Sequence, residues 1–387
     1  MNINDSIFDN LSLDRNVSRW DEKLYELTPV QLLEDNGLKM HFKRGDFFAP
    51  LGYGGINGDK LRVAIWLMTE HLKNGGSPDI IHGTVVGSPQ SPMATAVSRH
   101  FGGETITVLG ATKPETAIKH DMVSMSAWFG SKFDIVGSGY NSTIQPRAQK
   151  LVTESSKKPF YLEYGITTDH KIESNDALRI CNFHGVGAHQ VKNIPRNVSR
   201  LIIPAGSCNS CMSVLLGLAL YPQDHVKEIH LIGIGPNRIR WMEERLRLIK
   251  SVDPVLFRKL DTFDRLYTDS PELMPGAEEK SRHTNKLWGR KERIQEHVEK
   301  PSFTVTHYDL HTTNWVRYND LMPNQFGGVD LHPRYEGKVL QYLKEKLPHL
   351  ISEDSLFWIV GSKPSIEAMK PACPELGEVP ASITMIG

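Results

Sequence analysis

HFKRGDFFAPLGYGGINGDKLR, residues 41–62, reads as an apolar strand, a charged turn, a glycine-rich loop and the start of a helix that opens on Lys60. Glycines at 52, 54, 55 and 58 let the backbone approach a ligand closely and take up positive φ. A lysine at such a point is partly desolvated, which makes its amine easier to deprotonate and available for imine chemistry. A surface lysine in the first turn of a helix is the competing reading, and this segment alone does not separate the two.

Outward from Lys60, short β-branched runs alternate with helical patterns. The strand candidates are Ile106–Leu109, Phe133–Val136, Leu201–Pro204 and Ile229–Ile234. The helix candidates are Lys60–Lys73, Pro92–Phe101, Thr143–Ser155, Cys211–Leu220, Arg238–Lys250 and Tyr335–Leu347. That alternation predicts an α/β fold with a parallel sheet covered on both faces and a site on strand-to-helix loops. LIIPAGSCNSCMSVLLGLAL, residues 201–220, fits such a loop: a strand, then Gly206, Ser207, Cys208, Asn209 and Ser210, then an apolar helix with no charge near its start. The N–H groups and dipole at a helix N-terminus suit a phosphate dianion, although a turn of small residues can equally be only a turn.

Four segments, in order, resemble the aminocyclopropane-carboxylate deaminase and D-cysteine desulfhydrase family, fold-type-II pyridoxal-phosphate enzymes of the tryptophan-synthase-β type. That family carries K-R-E-D and then G-G-N-K-x-R with the Schiff-base lysine; here Lys43, Arg44, Asp46, Gly54, Gly55, Lys60 and Arg62 match, while Gly45 replaces the acid and Ile56–Asp59 lengthens the loop. The 206–210 loop is similar to its G-S-G-G-T phosphate loop. The stretch GSPQSPMATAVSRHFG, residues 87–102, resembles its substrate-carboxylate loop, matching at Gln90 and Ser91 and departing at Pro92 and Met93. The segment DLHPRYEGKVLQYL, residues 330–343, is similar to D-P-V-Y-E-G-K. The resemblance implies that Glu336 lies by the pyridine nitrogen, that Tyr335 is an acid/base or a neighbour of the ring, and that Ser362 in LFWIVGSKP takes the place of a cofactor-binding hydroxyl. It also implies two α/β lobes in a three-layer αβα arrangement: a large cofactor domain from 1–62 and 176–387, with an insertion at about 253–323, and a small domain from 63–175. A homodimer is implied as well.

Composition narrows the remaining classes. Lys plus Arg equals Asp plus Glu at 45 each, so no global field draws the chain to nucleic acid or an anionic membrane. The apolar stretch Val214–Leu220 is far shorter than the ~20 residues of a membrane span. No basic segment followed by an apolar core opens the chain, and four cysteines in 387 residues do not form a disulfide scaffold. The expectation is a cytoplasmic protein, in the host cytoplasm if it is viral. Cys208 and Cys211 lack a second pair of matching spacing, so no metal is expected. Gly233 and Gly235 are followed by Arg238 where a dinucleotide fingerprint needs glycine.

The resemblance implies chemistry at the α-carbon of an amino acid by way of a quinonoid carbanion. Proton removal, by Lys60 or Ser91, would make the chain a deaminase or desulfhydrase of a small free amino acid. Loss of carboxylate, with Lys60 returning the proton, would make it a decarboxylase. Pro92 has no N–H to offer a carboxylate and Met93 makes the pocket more apolar, so decarboxylation is the favoured reading; Pro92 as a plain helix starter is the alternative. A catalytically idle cofactor-binding protein also stays open. The run KSRHTNKLWGRKER, residues 280–293, places six basic residues around Trp288, with Trp315 and Tyr318 beyond. It reads either as a solvated face or as a nucleic-acid contact. Similar diverged enzymes in bacteriophage pathways decarboxylate amino acids attached to thymine in viral DNA, and such a substrate would be a base displaced from the duplex.

Overall fold

A computed structural model describes residues 23–52, 55–167, 177–252, 267–268, 303–311, 313, 315–317 and 320–386. The basic run 280–293, Trp288, Tyr318 and Gly54 lie outside the described residues. In chain order the strands are β1 (Val30–Asp35), β2 (Leu38–Arg44), β3 (Ile80–Val85), β4 (Thr105–Gly110), β5 (Lys132–Val136), β6 (Phe160–Leu162), β7 (Arg200–Ala205), β8 (Glu228–Gly233), β9 (Tyr267–Thr268), β10 (Thr304–Asp309), β11 (Asn324–Phe326), β12 (Val329–Leu331), β13 (Ser355–Ile359) and β14 (Thr384–Met385).

The chain divides into two units. The first takes in Tyr25–Gly45 and Glu173–Val360; the second takes in Asp46–Ile172, Gly361–Gly387 and a short stretch ending at Leu24. In the first, seven of the described strands form a sheet of order β1-β2-β13-β7-β8-β10-β9, in which only the β1–β2 hairpin is antiparallel, and β11 pairs with β12 apart from it. Leu201, Ile202 and Ile203 are fully buried on alternating faces of β7, as expected of an apolar run in a parallel sheet covered on both sides. Ile202 and Phe357 join Val339, Leu340 and Leu343 of the helix Glu336–Lys346 in one core cluster, and the helix Asn209–Leu220 packs on β7 and on the helix Ala177–Ala188.

In the second unit the order is β14-β5-β4-β3-β6, all parallel. Val108 packs with Ile144 and Ala148 of the helix Asn141–Glu154, while its neighbour Leu109 packs with Ala117 and Val123. Successive side chains of β4 therefore meet helices on opposite faces, which makes three αβα layers.

The stretch 253–323 is less separate than its polarity suggests. Thr304–Asp309 runs parallel to β8 in the first sheet, with Val305 and Tyr308 buried. His307 and Asp309, polar and buried, hide that strand from a reading based on apolar runs.

Candidate active site

Lys60 is the second residue of the helix Asp59–Lys73, in the second unit, and is partly exposed. Its position is set by Gly58, whose φ of 93° is one that L side chains avoid. The Gly58 N–H donates to the Phe48 carbonyl at 3.0 Å, and the Gly58 carbonyl accepts from the Leu61 and Arg62 amides. One residue earlier, Asn57 and Ser362 grip each other: Asn57 Nδ2 donates to Ser362 Oγ at 2.7 Å, and the Ser362 N–H donates to Asn57 Oδ1 at 3.0 Å. Arg62 is fully buried, its guanidinium 3.8 Å from the Phe48 ring centroid and its Nη1 bonded to the Leu24 carbonyl. The matching Lys43 and Arg44 face inward within the first unit. Lys43 Nζ donates to the Thr28 carbonyl and to Asn193 Oδ1, and Arg44 Nη1 donates to Gln31 Oε1.

The loop after β3 opens the helix Gln90–His100, with Pro92 as its third residue. Proline there breaks no helical bond, and the same turn lacks one N–H that a carboxylate would seek. Gln90 is committed locally: Nε2 donates to the Glu163 carbonyl at 2.9 Å and Oε1 accepts from the Gly165 N–H at 2.8 Å. Ser91 and Met93 are buried. Ser91 Oγ lies 2.7 Å from Ser126 Oγ and 3.5 Å from Thr107 Oγ1, and Thr107 in turn meets Ser131 Oγ at 2.8 Å and His82 Nε2 at 2.9 Å. Burial pushes His82 down to about 3, so its ring is neutral. Sequence reasoning missed this buried hydroxyl network, since its members come from β3, the helix Gln90–His100, β4, the helix Asp121–Trp128 and the turn after it, with no shared local pattern.

In the first unit, β7 leads through Gly206 and Ser207 to Cys208, the residue before the helix Asn209–Leu220, whose first turn has no acidic residue. Cys208 adopts φ 64°, ψ 8°, the left-handed region, at the place of a glycine in the similar G-S-G-G-T loop. The first intrahelical bond runs from the Met212 N–H to the Cys208 carbonyl at 3.0 Å, leaving Asn209, Ser210 and Cys211 to supply first-turn N–H groups. Contact with the Cys208 sulfur, then burial, pushes the Cys211 thiol well above its usual range. Cys211 is therefore a protonated thiol packed in the core.

Each position of Y-E-G-K is used. The Tyr335 ring lies 4.6 Å from that of His332. Glu336 is fully buried at the start of its helix, and its Oε1 accepts from the Val360 N–H, just past β13, at 2.9 Å. A Cβ on Gly337 would sit 2.1 Å from the Met322 carbonyl oxygen, so only glycine fits. Lys338 Nζ donates to the Arg317 carbonyl at 2.8 Å, and burial pulls it down to about 8. At the carboxyl ends of β8 and β10, Asn237 Nδ2 donates to Asp309 Oδ2 at 2.9 Å, above a buried His307 that burial holds down at about 4.

The expected residues thus fall into two sets. Lys60, Gln90, Ser91, Pro92, Met93 and Ser362 belong to the second unit; Gly206, Ser207, Cys208, Asn209, Ser210, Tyr335 and Glu336 belong to the first. The donor set suits pyridoxal phosphate: an amine in a helix's first turn behind a pinned glycine, a small-residue helix start for an anion, and a buried carboxylate at a helix start.

No family model matches the chain. It is 56% identical over 385 residues to the O-seryl-dTMP PLP-dependent decarboxylase of Salmonella phage ViI, covering 96% of this chain and 90% of the relative. Among solved structures it is similar to an ACC deaminase homologue, with a TM-score of 0.54 at 17% identity over 91% of this chain and 94% of that one. The fold is that of the fold-type-II enzymes.

Proposed function

The chain belongs to the family of the phage O-seryl-dTMP PLP-dependent decarboxylase, and from that premise we propose that it removes carbon dioxide from a serine joined through oxygen to a thymidine nucleotide. The seryl group becomes an aminoethyl group, one carbon–carbon bond breaks, and one proton is taken up at the α-carbon. Pyridoxal phosphate, when bound, supplies an aldehyde that links to an amine and a ring that takes up the electron pair left by the departing carboxylate.

The protein's own residues do the rest. Lys60 Nζ holds the aldehyde in the resting enzyme and later carries the proton to the α-carbon. Gly206–Ser210 would hold the phosphate through the helix N-terminus, and the Glu336 carboxylate, fixed by the Val360 N–H, would serve as the partner of the ring nitrogen and favour its protonated form. The turn at Pro92 and Met93 receives the substrate carboxylate with one donor fewer and in apolar surroundings, which costs the charged group stability that its departure relieves.

The observation that carries the choice of reaction is Ser91. Its hydroxyl is engaged by Ser126 and Thr107 in the protein interior, which supports loss of carboxylate over a deamination in which that hydroxyl would move the α-proton. Incubation of the purified protein with cofactor and O-seryl-dTMP, followed by mass spectrometry, tests it. Carbon dioxide and an aminoethyl nucleotide are expected; ammonia and a keto acid without carbon dioxide would overturn the choice.

A further inference from the structure

We propose that Tyr140 is the stacking platform for the pyrimidine base of the substrate, an inference that rests on the nucleotide-linked substrate proposed above. Tyr140 is 77% exposed, the most exposed large hydrophobic side chain among the described residues. An aromatic ring left in water gains most when a flat apolar partner covers it, and a base offers such a face whatever its sequence context.

Its place in the sheet gives the ring a purpose. β3, β4 and β5 run parallel with Val85, Gly110 and Val136 in one row at their carboxyl ends. At about 4.8 Å per strand, Val136 lies about 10 Å from Val85, the residue that leads into the loop before Gln90. The chain after β5 also leans back toward that loop. A Cβ on Gly110 would lie 2.9 Å from Gly139 Cα and 2.8 Å from the Ser138 carbonyl oxygen, so residues 138–139 cover the end of β4.

Tyr140 is held at that edge rather than trailing from it. Its N–H donates to Ser138 Oγ at 3.3 Å, and its carbonyl accepts from the Thr143 and Ile144 amides at 3.0 and 3.1 Å as the residue before the helix Asn141–Glu154. A fixed backbone carrying an uncovered ring, two strands from the amino-acid loop, matches a substrate whose base sits a few bonds beyond the reacting α-carbon. Stacking needs the ring and not the phenol hydroxyl, so phenylalanine should replace it.

The test compares wild type, Tyr140→Phe and Tyr140→Ala in two assays. The first is turnover of O-seryl-dTMP and of free O-methylserine; the second is equilibrium dialysis of dTMP against the cofactor-loaded protein. Loss of one stacked base corresponds to about a tenfold or greater weakening. Tyr140→Ala should therefore raise KM for O-seryl-dTMP and Kd for dTMP by about that factor, with kcat and O-methylserine turnover unchanged and Tyr140→Phe like wild type. Equal dTMP binding in wild type and Tyr140→Ala, or no binding in either, overturns the platform. Tyr140-dependent dTMP binding by a protein that releases no carbon dioxide leaves the platform standing and removes the proposed reaction.

Discussion

His82 is buried and neutral, with its ring beside Thr107 in the hydroxyl network that engages Ser91. Its titration gives a stability test of that network. The folded value, about 3, lies below the unfolded 6.5, so its contribution is fully present above pH 6.5 and is lost as pH falls toward 3. At pH 5 the native ring is still neutral while the unfolded ring is charged. That pH is one and a half units below the unfolded value, and at about 1.4 kcal/mol per unit the loss is about 2 kcal/mol. His82→Gln keeps a nitrogen within reach of Thr107 Oγ1 and cannot titrate. Urea unfolding at pH 7.5 and pH 5.0 should show the wild type losing about 2 kcal/mol more than His82→Gln over that interval. Every other titrating group, His307 and His184 included, is common to both proteins and drops out of the difference. Equal losses in the two proteins would mean that His82 is not held neutral against Thr107, and the inward placement of Ser91 would lose its support.

Cys208 holds a left-handed backbone at φ 64° without being glycine. Cys208→Gly should be about 1 kcal/mol more stable than Cys208→Ala, and Cys208→Val should bind pyridoxal phosphate more weakly than either. Urea midpoints and a cofactor titration read both effects. At Glu336, alanine would remove the acceptor of the part-buried Val360 N–H at a cost of about 1 kcal/mol, whereas glutamine keeps an acceptor there. Thermal unfolding should separate the two variants, while carbon dioxide release should fall in both because each removes the negative charge.

What the sequence displays and what it hides divide along physical lines. Leu201–Pro204 and Ile229–Ile234 are legible because these strands, buried on both faces, are apolar apart from His230, and β7 and β8 lie there. The helix expected at Pro92–Phe101 is Gln90–His100, and that at Tyr335–Leu347 is Glu336–Lys346, differences of a residue or two at the ends. β3, IIHGTV, escapes because His82 and Thr84 are polar yet lie fully buried inside the fold rather than at its surface. β10 escapes for the same reason. Within the site, the lysine loop and Y-E-G-K are contiguous and readable. The grip of Asn57 on Ser362 spans 305 positions, and that of Gln90 on residues 163 and 165 spans more than 70. No local pattern encodes such pairs, so their partners emerge only once the chain is folded.

The proposed chemistry depends on a covalent bond between Lys60 and the cofactor aldehyde. Borohydride reduction of the protein loaded with pyridoxal phosphate, followed by protease digestion and mass mapping, should find the phosphopyridoxyl group on Lys60 and an unlabelled peptide there in Lys60→Ala. A tag on another lysine, or none on a protein that turns over substrate, would contradict it.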